Sequence, residues 1–227
     1  MKNVAVVLAA GSGSRFGSAI PKQFVELDGK MVVEHSVDLF DSLPCIDEVA
    51  IVVAPDYRGK VEQLAARRAW PKVKKIIDGG SERYLSSLNA LMAFVDYPDD
   101  TNLLFHDAAR PWVSESIVGR VVEALEKSEA VGVAIPSTDT VWECSFAVTP
   151  TGRKIGRIPE RSLMWRAQTP QAFRLPVIRD AYQRALQDVK FHVTDDCGVV
   201  RRYMPQIEIC IVEGDERNRK ITFCDDL

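Results

Sequence analysis

The sequence predicts an α/β fold, a mostly parallel central sheet with helices on both faces. Three observations carry this. Short strand-like segments recur at residues 4–9, 48–54, 73–78, 102–106 and 130–135, the first, second and last of them almost wholly apolar. Runs apolar at successive positions suit strands buried on both faces, as parallel strands are. Stretches of helical period lie between them, the alternation that builds parallel sheets. In such sheets ligands sit beyond the carboxyl ends of the strands. The loops richest in glycine or charge, at 11–17, 79–81 and 107–110, fall at those ends.

Taken in order, residues 4–9 form the first strand. Residues 31–43 place Val33, Val37 and Phe40 on one face and read as a helix. Residues 48–54 are the second strand, and 56–68 a helix through Val61, Leu64, Ala65 and Arg68. The third strand, 73–78, ends in Gly79-Gly80, and a helix over 82–95 follows through Leu85, Leu88, Met92 and Val95. The fourth strand, 102–106, runs into H-D-A-A-R-P. Ser114 caps the next helix, with Glu115 in its first turn. Residues 130–135 are the fifth strand. Residues 138–147 and 154–158 then predict an inserted β-hairpin around T-P-T-G. A lone hairpin has too little apolar surface to stand by itself, so it is expected to pack on a second copy of the chain. A helix over 175–186 carries Pro176 in its first turn. T-D-D at 194–196 caps another, reaching about Arg202. Residues 206–212 form a last strand, 219–222 are short and extended, and Asp225-Asp226 open a further helix. With no repeats, low-complexity stretches or linkers, the expectation is a single domain over 1–227, with an arm at about 137–160.

Composition sets bounds. At 227 residues, 46% hydrophobic and 27% charged, the chain can bury a real core. A net charge of −3 gives no general affinity for nucleic acid. No apolar run approaches the ~20 residues of a membrane span, and the N-terminus enters a strand without a signal-peptide layout. The five cysteines are scattered without a C-x-x-C pair, which suits free thiols in a reducing cytoplasm. There are three histidines and no G-x-S-x-G or H-E-x-x-H, which argues against a Ser-His-Asp hydrolase or a histidine zinc site.

The loop G-S-G-S-R-F-G at 11–17 is the first candidate site. Its third glycine is one position too late for a dinucleotide fingerprint, and no Lys-Ser/Thr follows for a Walker A loop. Small residues let backbone N–H groups approach phosphates, and Arg15 and Lys22 add two cations. A nucleoside triphosphate is therefore expected here, against the alternative of a plain strand-to-helix turn. Lys22 follows Pro21, which fixes the local backbone; its alternative is a solvated lysine. Asp107 ends a buried strand, where a carboxylate can help hold Mg²⁺, or else caps the next segment. His106 is read as a packed core histidine. Arg110 suits bidentate phosphate recognition or a surface ion pair. Gly79, Gly80, Ser81 and Ser86 suit recognition of a base, or a capped turn.

The blocks LAAGSGSRFG, PKQF, DGGSERYLSSLNAL, HDAARP, TDT, ERSLMWRAQTPQAF, TDD and VEGDERNRKIT span nearly the whole chain. Together they resemble the cytidylyltransferases that make CDP-linked polyols, of which two subfamilies qualify: 2-C-methyl-D-erythritol 4-phosphate cytidylyltransferase and ribitol-5-phosphate cytidylyltransferase. The resemblance implies a Rossmann-like nucleotidyltransferase fold and a homodimer joined through the hairpin arm. It implies that CTP, with Mg²⁺, and a polyol phosphate give a CDP-polyol and pyrophosphate. It implies that Arg15 and Lys22 stabilise the transition state, and that Ala9, Ala10, Gly11, Gly13, Gly80, Ser81 and Ser86 surround the nucleotide. Asp107 matches a metal and substrate carboxylate. Arg110, Thr169, Thr194 and Lys220 match positions near the second substrate. Thr140 and Arg161 match arm residues that reach a neighbouring chain's site. H-D-A-A-R-P and the Trp165 block look like the methylerythritol subfamily, which serves isoprenoid precursor synthesis. I-P-E-R and D-C-G look like the ribitol subfamily, which serves cell-surface polymers. Both substrates stay open, methylerythritol phosphate placed first as the more widespread. Readings of another class are a nicotinamide-dependent oxidoreductase, which the glycine spacing opposes, and a non-catalytic nucleotide sensor.

Overall fold

The computed structural model describes residues 1–227 except 14, 15, 18, 19, 150 and 151, with backbone alone at 146–149. Strand β1 (Lys2–Ala9) is the middle of the sheet's parallel part. Ala5, Val7 and Ala9 join one core cluster and Val4, Val6 and Leu8 the other, so β1 is buried on both faces. A small ribbon, β2 (Glu26–Leu27) and β3 (Lys30–Met31), leads into α1 (Val32–Ser42), whose Val33, Val37 and Phe40 are buried as predicted. Strand β4 (Glu48–Val53) follows, then a 3₁₀ turn at Pro55–Tyr57. Helix α2 (Arg58–Arg68) therefore begins two residues later than its periodicity suggests.

Strand β5 (Val73–Asp78) precedes α3 (Arg83–Ala93). The buried face of α3 is Ser86, Ser87, Ala90 and Leu91, whereas Met92 and Val95, expected inside, are exposed. Small residues let this helix approach the sheet, so the most apolar stripe is not the most buried one. Strand β6 (Thr101–Asp107) follows, then α4 (Glu115–Leu125), capped by Ser114 Oγ accepting from Ile117 N at 3.3 Å. Next come β7 (Ala130–Pro136) and a hairpin of β8 (Glu143–Thr149) and β9 (Gly152–Arg157). The hairpin is real, but its first strand starts later than expected. Of its T-P-T-G turn, Pro150 and Thr151 lie outside the described residues.

The strand that the sequence reading omits is β10 (Trp165–Arg174). It runs antiparallel between β6 and β7, with an irregularity between Gln168 and Gln171. Pro170 argues against a central strand in sequence, and the irregular register is where the sheet absorbs it. Helix α5 (Leu175–Ala185) carries Pro176 in its first turn, and α6 (Asp196–Tyr203) is capped by Asp195, whose side chain accepts from Gly198 N at 2.9 Å. Strand β11 (Ile209–Glu213) closes the order β11-β7-β10-β6-β1-β4-β5. Residues 219–222 form no strand, although Ile221 N donates to Ala109 O at 2.8 Å. The expected last helix is one 3₁₀ turn, Cys224–Asp226.

Helices α1, α2 and α4 cover one face, through Val37, Phe40, Val61, Leu64 and Val121. Helices α3, α5 and α6 cover the other, through Ala90, Leu91, Ile178, Ala181 and Val200. With β4 and β6 on opposite sides of β1, the strand order reverses there, and the crevice opens beyond its carboxyl end.

Candidate functional site

A cleft of about 250 Å³ lies at that crevice. One wall is the loop after β1, where Ala9, Ala10, Gly11 and Gly13 face Lys22. Gln23, buried, donates from Nε2 to Ala9 O at 2.6 Å and to Gly11 O at 2.9 Å, clamping the glycine loop against the sheet. Gly13 has φ +66°, a conformation that only glycine adopts freely. The opposite wall is the β5–α3 loop with Gly80, Ser81 and Ser86. Gly80 N donates to Ser86 Oγ at 3.1 Å. A Cβ on Gly79 would lie 2.2 Å from Ala10 Cβ, so the two loops meet only because this residue is glycine.

Asp107 closes the far side with Lys220, whose Nζ donates to Oδ2 at 2.6 Å. Arg83 Nε donates to Asp107 Oδ1 at 3.3 Å, and Arg83 Nη1 to Asp196 Oδ2 at 2.7 Å. Burial alone would push the Asp107 carboxyl up, but Arg83 and Lys220 outweigh it and hold the carboxyl well below the ordinary range. Behind Asp107, its N–H donates to Thr169 Oγ1 at 3.1 Å. Thr169 Oγ1 meets His106 Nδ1 at 3.0 Å, and His106 Nε2 meets Arg110 O at 3.1 Å. A carbonyl only accepts, so Nε2 carries the proton and Nδ1 accepts from Thr169. Burial lowers the His106 pKa to about 4, which keeps the ring neutral. His106 is thus the packed core histidine expected.

The two lysines meet through the chain's end. Lys22 Nζ donates to Ile221 O at 2.5 Å, next to Lys220. That segment is held by buried Asn218, whose Nδ2 donates to Gln168 Oε1 at 3.1 Å and Thr169 O at 2.9 Å. Arg110 belongs to the same support. Its Nη1 donates to Asn218 O at 2.7 Å and its Nη2 to Ala167 O at 3.2 Å, and it does not line the cleft. Two of its donors are thus spent on carbonyls, where the sequence offered phosphate recognition or a surface ion pair.

The structure therefore gathers Ala9, Ala10, Gly11, Gly13, Lys22, Gly80, Ser81, Ser86, Asp107 and Lys220 around one cleft. Arg15 lies outside the described residues. Thr169 sits one layer behind. Thr194 is exposed just before α6, and Thr140 and Arg161 are exposed at the root of the arm; none of the three lines the cleft. Arg161 Nη1 donates to Thr138 O at 3.5 Å. Sequence reasoning missed Gln23, Arg83, Asp196 and Asn218. All four lie inside blocks it singled out, but spacing does not say where a long side chain reaches.

Among the described residues no group of three or more His, Cys, Asp or Glu side chains is placed to hold a metal ion. Asp107 facing the cleft nevertheless fits Mg²⁺, which binds through one or two carboxylates and takes further ligands from phosphate oxygens and water.

Residues 3–227 match the family described as 2-C-methyl-D-erythritol 4-phosphate cytidylyltransferase. A curated relative of that name from Thermobifida fusca (strain YX) is 46% identical over 224 residues, covering 98% of this chain and 89% of the relative. A Haemophilus influenzae protein named bifunctional ribulose 5-phosphate reductase/CDP-ribitol pyrophosphorylase Bcs1 is 38% identical, over 97% of this chain and 46% of that protein. Among solved structures, 4-diphosphocytidyl-2C-methyl-D-erythritol synthase from Anaerococcus prevotii superimposes with TM-score 0.82 at 28% identity, over 99% of this chain and 94% of the other. The Francisella tularensis 2-C-methyl-D-erythritol 4-phosphate cytidylyltransferase does so with TM-score 0.81 at 27% identity, over 100% and 96%.

Proposed function

We propose the reaction from one premise: the chain belongs to the 2-C-methyl-D-erythritol 4-phosphate cytidylyltransferase family. It is a CTP-dependent nucleotidyltransferase whose acceptor is 2-C-methyl-D-erythritol 4-phosphate, a step toward isoprenoid precursors. A phosphate oxygen of the acceptor attacks the α-phosphorus of CTP, a new P–O bond forms, and pyrophosphate leaves. The observation that carries this is the convergence of a glycine loop, Lys22, Lys220 and Asp107 on one cleft at the crevice of the sheet.

The residues divide the work by position. The loop at Gly11 and Gly13 offers backbone donors to the triphosphate, with Ala9 and Ala10 beside it. Gly80, Ser81 and Ser86 receive the cytidine, the Ser86 hydroxyl holding the loop that reads the base. Lys22, with Arg15, stabilises the charge that develops at the α-phosphate. No protein nucleophile is needed, and catalysis is positioning plus charge stabilisation. Asp107 and Lys220 receive the acceptor, with Thr169 fixing Asp107 from behind and Arg110 fixing Lys220 through Asn218. Thr194, just before α6 and outside the cleft's own lining, is assigned to the bound acceptor. Asp107 would hold Mg²⁺, which supplies neutralisation of the triphosphate when bound.

Thr140 and Arg161 do their work in a neighbouring copy. The arm's exposed Trp142, Ile155 and Ile158, with Leu163 and Trp165 just beyond it, support a homodimer, because that much apolar surface is costly in water. Residues 1–227 form one domain around a continuous sheet, with the arm as its extension. Free cysteines support a cytoplasmic location, and no helix among the described residues is long and apolar enough to cross a membrane.

Pyrophosphate release from CTP, measured with 2-C-methyl-D-erythritol 4-phosphate, with ribitol 5-phosphate and with no acceptor, tests the reading. Release with the first acceptor is expected. Release only with ribitol 5-phosphate would move the chain to the activity named for the Haemophilus influenzae relative. Release with neither would overturn catalysis, and stabilisation by NAD(H) rather than CTP would favour an oxidoreductase.

A further inference from the structure

We propose that Arg83 is a positioning residue for the acceptor substrate, fixing Asp107 and the first turn of α6 against the nucleotide loop. The proposal rests on the cytidylyltransferase reading above. Arg83 opens α3, three residues after Gly80, and lines the cleft. Its guanidinium spans two carboxylates from different elements: Asp107 at the end of β6 and Asp196 at the start of α6. Three segments distant in sequence are thereby joined at one side chain.

The tether is strong for a physical reason. Asp196 is fully buried, and its two oxygens take Tyr182 Oη at 2.7 Å and Arg83 Nη1 at 2.7 Å. A buried carboxylate that loses its cation is left uncompensated, so the pair resists separation. Arg83 Nη2 is buried with no partner, which leaves the two carboxylates to set the fork's orientation. The start of α6 is pinned from its other side too. Gln171 Nε2 donates to Asp195 Oδ2 at 2.7 Å, and Cys197 N donates to Gln171 Oε1 at 3.0 Å. Thr194, expected near the acceptor, precedes this pinned turn. The wall that receives the base and the wall that receives the acceptor are therefore registered through one planar fork.

A lysine keeps the charge but cannot bridge two carboxylates as a fork does. Initial rates for Arg83→Lys, Arg83→Gln and Asp196→Asn, each with a thermal melt, test the proposal. Arg83→Lys and Asp196→Asn are expected to raise the acceptor KM about tenfold or more while the CTP KM moves less than about threefold. Arg83→Lys should recover more of the lost acceptor affinity than Arg83→Gln. A side chain that only holds the fold together would move both KM values alike, in step with Tm. Parallel or absent KM changes in Arg83→Lys would overturn the proposal. Should that variant fail to fold, Asp196→Asn is judged by the same criterion. If the unaltered enzyme releases no pyrophosphate with either acceptor, the functional reading fails instead.

Discussion

Asp107 shows how a side chain's role depends on neighbours that its motif does not mention. In H-D-A-A-R-P it looks like an isolated carboxylate, yet it sits between Lys220 and Arg83 with Thr169 on its backbone N–H. Its charge is balanced before any ligand arrives, so a bound metal or acceptor must compete with Lys220. Lys22 has the more direct task. Lys22→Ala should lower kcat by at least about a hundredfold, the scale for losing one stabilising donor, with little change in Tm. Near-normal turnover would remove its assigned role. His106 makes a prediction about pH. Burial depresses its pKa from 6.5 to about 4. Between those values the unfolded chain binds more protons than the folded one, so stability is lost as pH falls through that window. Urea unfolding of His106→Gln between pH 6.5 and 4 should show a shallower loss than the unaltered chain. An equal slope would mean that the ring is not held neutral in the fold.

Regular elements were legible where one local rule dominates. The buried apolar runs of β1, β4 and β7 name themselves, since each carries a stretch without a polar residue. So does the start of α4, where Ser114 caps the helix. Ser114→Ala should cost about 1 kcal/mol, lowering Tm by roughly 2–4 °C for a chain of this size. Turnover should be unchanged, because Ser114 lies outside the cleft, and a loss of activity larger than the loss of stability would contradict this. Elements set by their surroundings were not legible. Strand β10 contains Thr169-Pro170 and polar Gln168 and Gln171, yet it is central in the sheet. Its buried polar groups are satisfied by Asp195, Asn218 and Asp107, partners that only the folded chain brings near. Helix α3 misled through its leucine stripe, because closeness to the sheet favours Ser86, Ser87 and Ala90 over bulk.

The assembled chain has a cleft that is incomplete by itself if Thr140 and Arg161 act on the acceptor. Both lie at the root of an arm that exposes Trp142, Ile155 and Ile158, the surface assigned above to a second copy of the chain. Mixing Lys22→Ala with Arg161→Ala subunits should restore activity, to roughly a quarter of the unaltered level, since half the dimers are mixed and each has one intact site. No recovery in exchanged mixtures would mean that each site is built from one chain. The sequence was enough to establish the alternation of strands and helices, the glycine loop, the cationic Lys22 and the family, because each depends on residues close together or on ordered blocks. It did not determine which long side chains cross the cleft. Arg83 reaching Asp196, Gln23 reaching Ala9, and Asn218 holding Lys220 beside Asp107 all join residues remote in the chain. Arg110 reaching the carbonyls of Asn218 and Ala167 is a contact of the same kind. Such contacts depend on the order in which strands lie side by side, and that order is fixed only when the two apolar faces of the sheet are covered at once.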